Sequence, residues 1–123
     1  MSQRFPIWRD AEQLVLEIER AVQVAPRYHK YTLGAEMRQA AYALLNAIGR
    51  AIHASAERIT LLIRTHAISE SLMIKIQLAK KLNLFASFSQ FERIARLGYA
   101  VAKQCKGWQK RLQRPHQQED GRA

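Results

Sequence analysis

At 123 residues with a formal net charge of +10, the chain is one small domain, large enough to bury roughly two-thirds of its unfolded surface and to fold without staples. Its single cysteine, Cys105, excludes an internal disulfide framework, and no apolar run is long enough for a signal peptide or a membrane span, so a soluble cytoplasmic protein is expected. The excess of basic over acidic side chains favours polyanionic partners, because each neutralised phosphate releases a condensed counterion.

In chain order, Ile7, Ala11, Leu14, Ile18, Ala21 and Ala25 recur at steps of three and four, predicting a first helix from about Trp8 to Ala25 that Pro26 ends. Glu12, Glu17 and Glu19 lie off that stripe and are expected to face water. Pro26 to Tyr31 then reads as a compact loop, with Thr32 as N-cap of a second helix from Leu33 to about Ile52. Its inner face is Leu33, Met37, Ala40, Leu44, Ile48 and Ala51. Gly49 costs about 1 kcal/mol against alanine but does not end a helix by itself. The break falls near His53 to Ala56, where Ser55 can cap the next element.

The third helix, about Glu57 to Leu82, is apolar on two sides. Leu61, Ile68, Leu72, Ala79 and Leu82 form one stripe, while Ile63, Ala67, Ile74 and Leu78 fall on nearly the opposite face. Either this helix is central in its own fold or one stripe is buried against another subunit. Asn83 to Ser87 forms the next turn, with Leu84, Phe85 and Phe88 closing the end of the core. The last helix has the longest uninterrupted pattern: Phe91, Ile94, Gly98, Val101, Cys105, Trp108 and Leu112 share one face. Ser89 and Glu92 have the S-x-x-E spacing of a capping box at its start. Beyond Pro115 the residues are polar, and 115–123 reads as a disordered tail to a domain spanning 1–114.

Four helices with short connections and no strand pattern specify an all-α, antiparallel up-down-up-down four-helix bundle. The charge is unevenly spread over it. Residues 1–26 carry −1, residues 27–56 and 57–88 carry +3 each, and residues 89–123 carry +5. Arg93, Arg96, Lys103, Lys110 and Arg114 form a cationic stripe beside the apolar one on the last helix, either a solvated face or a binding surface. Tyr28 and Tyr31, set among Arg27, His29 and Lys30, can stack on exposed bases or plug the end of the bundle. Catalysis finds little support: there is no phosphate-cradling glycine loop and no Cys-x-x-Cys, and the one thiol sits in an apolar stripe. His53 with Glu57, and His66 with Glu70, have i,i+4 spacing, but a closed metal site needs three or four convergent ligands. No cofactor and no metal are expected.

The run Pro26-Arg27-Tyr28-His29-Lys30-Tyr31-Thr32-Leu33-Gly34, continuing Glu36-Met37-Arg38, resembles the start of the second helix in accessory variability determinant proteins of diversity-generating retroelements. Leu78-Ala79-Lys80-Lys81-Leu82 is similar to the end of their third helix, and Lys103 with Gly107-Trp108 to the Arg and Gly-Trp pair of their fourth. The resemblance spans roughly Trp8 to Leu112. The broader four-helix family includes proteins encoded by intervening sequences in bacterial 23S ribosomal RNA genes, and the Tyr-Thr-Leu-Gly run favours the first branch.

The resemblance implies a ring-like homopentamer whose basic surface binds the retroelement's reverse transcriptase and its RNA or DNA. Such a protein has no catalytic activity of its own and supports error-prone copying of a template RNA into cDNA that diversifies a target gene. Where family members often carry arginine before the Leu-Ala-Lys segment this chain has Gln77, and one turn earlier it has Met73. Lys75, Lys80 and Lys81 supply charge nearby, without the forked hydrogen bonding of arginine. The residues expected to bind are Arg93, Arg96, Lys103, Lys110 and Arg114 with Lys80 and Lys81, as a sequence-tolerant electrostatic surface, and Arg27, Lys30 and Arg38 as a second. The competing reading is a structural oligomer, or a general RNA-binding protein of the intervening-sequence type, whose basic faces meet an acidic protein.

Overall fold

The computed structural model describes residues 5–122, with side chains described for 5–114. Four long helices, α1 (Pro6–Gln23), α3 (Leu33–His53), α4 (Arg58–Lys81) and α5 (Phe88–Arg122), are joined by short connections, one of which holds a single helical turn, α2 (Arg27–Lys30). Each long helix packs against two others, in the cyclic order α1, α3, α4, α5. That is the up-down-up-down bundle expected of consecutive antiparallel helices. Among the described residues there is no strand, and no helix is long and apolar enough to cross a membrane. The side chains of the expected tail, 115–123, lie outside the described residues.

Local signals account for most boundaries. Pro6 occupies the first turn of α1, where its missing N–H is not needed. The α4 helix ends in a Schellman motif: Asn83 adopts φ 58°, Leu84 N–H donates to Ala79 O at 2.9 Å, and Asn83 N–H to Lys80 O at 3.1 Å. Leu84, the residue that packs back, is buried with Ala79. Three expected caps are different in the structure. Ser87, not Ser89, opens α5: its Oγ accepts from Gln90 N–H at 3.1 Å while Gln90 Oε1 accepts from Ala86 N–H at 2.9 Å. Ser87-x-x-Gln90 has the same spacing as Ser89-x-x-Glu92, and Glu92 is taken up instead by Arg96, at 3.5 Å. Thr32 does precede α3, but its hydroxyl donates backward, to Tyr28 O at 3.2 Å and His29 O at 3.3 Å, closing α2. Glu57, without a side-chain cap bond, and not Ser55, precedes α4.

The core is built from Leu14, Ile18, Met37, Leu44, Ile48, Leu62, Leu72, Ile76, Ile94 and Val101, all fully buried. The stripes expected for α1, α3 and α5 lie on it, with Ala25, Ala40, Trp108 and Leu112 half-buried at its margins. The inner face of α4 differs from expectation. It consists of Leu62, Thr65, Ser69, Leu72, Ile76 and Ala79, while Leu82 is exposed. Thr65 and Ser69 break the apolar count yet are tolerated there, because their hydroxyls donate to Leu61 O at 2.7 Å and His66 O at 2.6 Å within the helix. Phe88 is also exposed rather than closing the core, whereas Leu84 is buried and Phe85 half-buried.

Glu17 is the second correction of substance. Instead of facing water it is 8% exposed, with Gln13 Nε2 donating to Oε1 at 3.1 Å, Arg20 Nη1 to Oε1 at 3.3 Å and Arg93 Nε to Oε2 at 3.3 Å. A carboxylate enters such a position only with partners for its oxygens. Close helix approaches have their own signature. A Cβ at Gly34 would stand 3.0 Å from Val22 Cγ1 and 3.1 Å from His29 O, so the Thr-Leu-Gly run lets α1 and the α2 turn close on the start of α3. A Cβ at Gly98 would run into the sulfur of Met73, so the thioether that replaces the expected arginine packs at the α4/α5 crossing.

Candidate nucleic-acid interface

The outer face of α5 is where charge accumulates, since Arg96, Lys103 and Lys110 recur at seven-residue steps opposite the buried Ile94, Val101 and Cys105. The ten cations singled out in the sequence are divided by the fold between the two ends of the bundle. Antiparallel topology brings the start of α1, the end of α3, the start of α4 and the C-terminal part of α5 to one end. Lys103, Lys110 and Arg114 belong there. The opposite end gathers α2, the start of α3, the end of α4 and the start of α5, and with them Arg27, Lys30, Arg38, Lys80, Lys81 and Arg93. Arg96 lies between.

Many of the second group are already engaged. Arg93 holds Glu17. Arg38 Nε meets Glu19 Oε1 at 2.6 Å, a contact that raises the guanidinium above its ordinary pKa. Lys30 Nζ donates to Gln23 O at 2.9 Å, near the negative end of the α1 dipole. Lys80 lies over the rings of Phe88 and Phe91, 5.5 and 4.8 Å from their centroids. Tyr28 and Tyr31 do not plug the bundle, being 83% and 70% exposed.

The first end presents a groove of about 910 Å³. Lys103, Lys106, Lys110 and Arg111 of α5 line it, together with Arg58 and His66 of α4, Phe5 at the start of α1, and the α5 residues Tyr99 and Trp108. Among the described residues, no aspartate or glutamate lines it. Arg58 shapes the wall: it donates to Ala51 O at 2.9 Å and Ile52 O at 3.1 Å, covering the last carbonyls of α3, and its guanidinium lies 5.4 Å from the Trp108 ring centroid. Phe5 also stacks on this indole, with ring centroids 6.1 Å apart. His66 Nδ1 and Glu70 Oε1 are 3.0 Å apart and occupy each other. Cys105, below the groove, donates its thiol to Leu62 O at 3.3 Å, and burial pushes its pKa up to about 11, so it is no nucleophile at neutral pH.

Sequence reasoning placed Lys103 and Lys110 in this set and missed Lys106, Arg111, Arg58 and Tyr99. Lys106 follows Lys103 by three and Arg111 neighbours Lys110, so both were within reach of a wider stripe. Arg58 is 45 or more positions away in the chain from every α5 cation that lines the groove, and no local pattern signals it.

On the outer face of α4, Ile63, Ile74 and Leu78 stand 49%, 69% and 47% exposed. A shallow depression beside them is lined by Met73, Ile74, Gln77, Leu78 and Lys81. The two-sided apolar pattern of this helix therefore has one side in the core and the other on the surface.

A family model described as bAvd-like matches residues 2–112, nearly the whole bundle. No curated protein sequence matches the chain.

Proposed function

This chain belongs to the bAvd-like family of bacteriophage accessory variability determinants, accessory proteins of diversity-generating retroelements, and we propose that it binds the retroelement's reverse transcriptase and nucleic acid to support mutagenic cDNA synthesis. The family match over residues 2–112 carries the reading. The chain acts by binding, without catalysis, metal or cofactor. Its cationic α5 face takes template RNA or cDNA, through Lys103, Lys110 and Arg114 with Arg96. Its exposed apolar α4 face meets a second copy, building a ring-like homopentamer in the cytoplasm. Of the cations at the other end, Arg27 and Lys81 remain for the polymerase, with Lys30 and Lys80, whose ammonium groups are already engaged, beside them.

Support comes from the segregation of charge: among the described residues the groove-lining cations have no carboxylate beside them in the lining, whereas Arg38 and Arg93 at the other end are tied to Glu19 and Glu17. Phosphate binding needs the first kind of surface. The test mixes the purified chain with a diversity-generating reverse transcriptase and its template RNA. Co-elution and raised cDNA yield are expected, both reduced by Lys103→Glu with Lys110→Glu. Absence of co-elution together with unchanged cDNA yield from the wild-type chain would overturn the reading.

A further inference from the structure

We propose that the groove beside the C-terminal part of α5 is a site for single-stranded nucleic acid, in which an unpaired base stacks on Tyr99 and neighbouring phosphates lie on Lys103, Lys106 and Lys110. The inference rests on the nucleic-acid reading above and adds the strand form and the residues. Tyr99 is 65% exposed and has no ring partner among the described residues. Lys103, Lys106 and Lys110 follow it at i+4, i+7 and i+11, which puts them about 6, 10 and 16 Å further along one side of the helix. An aromatic platform followed by a row of cations is the arrangement that holds unpaired strands: the ring takes a base face and the row tracks the backbone. A duplex keeps its base faces stacked inside and leaves Tyr99 nothing to cover.

Gly107 is an independent observation. It sits in the groove lining, inside a helix, where glycine is disfavoured by about 0.5–1 kcal/mol relative to alanine. Among the described residues nothing requires it, since a Cβ there would meet only Arg111 Nη1, at 3.5 Å, an ordinary contact. Gly34 and Gly98, by contrast, are demanded by neighbouring atoms. A glycine free of internal cause in the groove lining leaves space for something outside the chain to approach the helix backbone. That the described lining residues include no carboxylate fits a polyanion as that occupant. Arg58 is committed to the carbonyls of α3 and is a wall rather than a phosphate ligand.

The test is fluorescence anisotropy with a labelled 20-nucleotide oligo-uridine and a labelled 20-base-pair duplex. The full chain is compared with Tyr99→Ala, Tyr99→Phe and the triple variant Lys103→Ala, Lys106→Ala, Lys110→Ala. Because all four side chains are exposed, the variants are expected to keep the wild-type circular dichroism. Tyr99→Ala should weaken oligo-uridine by about 5- to 150-fold with little change for the duplex, and Tyr99→Phe should retain binding. The triple variant should lower the steepness of log affinity against log salt by about 2, at about 0.7 per lost single-strand phosphate contact. Oligo-uridine binding unchanged in Tyr99→Ala, or weakened equally for the duplex, would overturn the stacking site while leaving general nucleic-acid binding in place. No binding of either probe by the wild-type chain would overturn both.

Discussion

The exposed face of α4 can be removed without touching the core, which makes the expected subunit contact measurable. Fully burying an isoleucine or leucine side chain contributes about 1.5–3 kcal/mol. Scaled by the exposure that remains, 49% at Ile63, 69% at Ile74 and 47% at Leu78, the three side chains hold about 2.5–5 kcal/mol for a partner that covers them. Replacing Ile74 and Leu78 by glutamine removes about 1.7–3.5 kcal/mol of that, or about a 20- to 400-fold loss of subunit affinity. Glutamine keeps helix propensity and leaves the net charge at +10, so nucleic-acid binding is not altered by charge. The assay is solution mass by light scattering, at high salt after nuclease treatment so that bound nucleic acid cannot hold subunits together. The wild-type chain should show a mass near five subunits and the double variant a mass moving toward one, at unchanged helical signal. A wild-type monomer, or a double variant of unchanged mass, would refute the reasoning and make the apolar face of α4 either solvated or a contact for another protein.

Ser87→Ala should lower stability by about 1 kcal/mol in denaturant titration while Ser89→Ala leaves it nearly unchanged, because only Ser87 receives an amide of the first turn of α5. Gly107→Ala should raise stability by about 0.5–1 kcal/mol through helix propensity, whereas Gly34→Ala, held against Val22 and the His29 carbonyl, should lower it; the same titration compares them. Cys105 should resist a disulfide exchange reagent at pH 8 in the native protein and react on unfolding, since the thiol is buried with a pKa raised to about 11. The unfolded thiol ionises near 9.0, so its contribution to stability is complete below that pH and is lost as the pH rises through about 11; a midpoint that does not fall across this window in the wild type relative to Cys105→Ala would contradict it.

Three of the four core faces were readable because apolar periodicity is a local property: a side chain at Leu14, Ile48 or Val101 reports its helix face whatever packs against it. The same locality misled on α4, where Thr65 and Ser69 bond within their own helix and so occupy the interior without looking apolar. Ser87 and Ser89 present equivalent cap spacing, and the turn after the Schellman motif at Asn83 decided between them.

Sequence alone determined the all-α bundle, the number of its long helices, the concentration of positive charge toward the C-terminus and the second apolar face of α4, because each is a matter of composition or period. Tertiary structure decided which charges are engaged and which are left over. Glu17 Oε2 is met by Arg93 from 76 positions away, and Arg38 is occupied because α3 lies beside Glu19. The groove exists only because the start of α1 and the start of α4 meet the same stretch of α5. Pairing energy depends on distance in space, and the chain order of the partners carries no record of it.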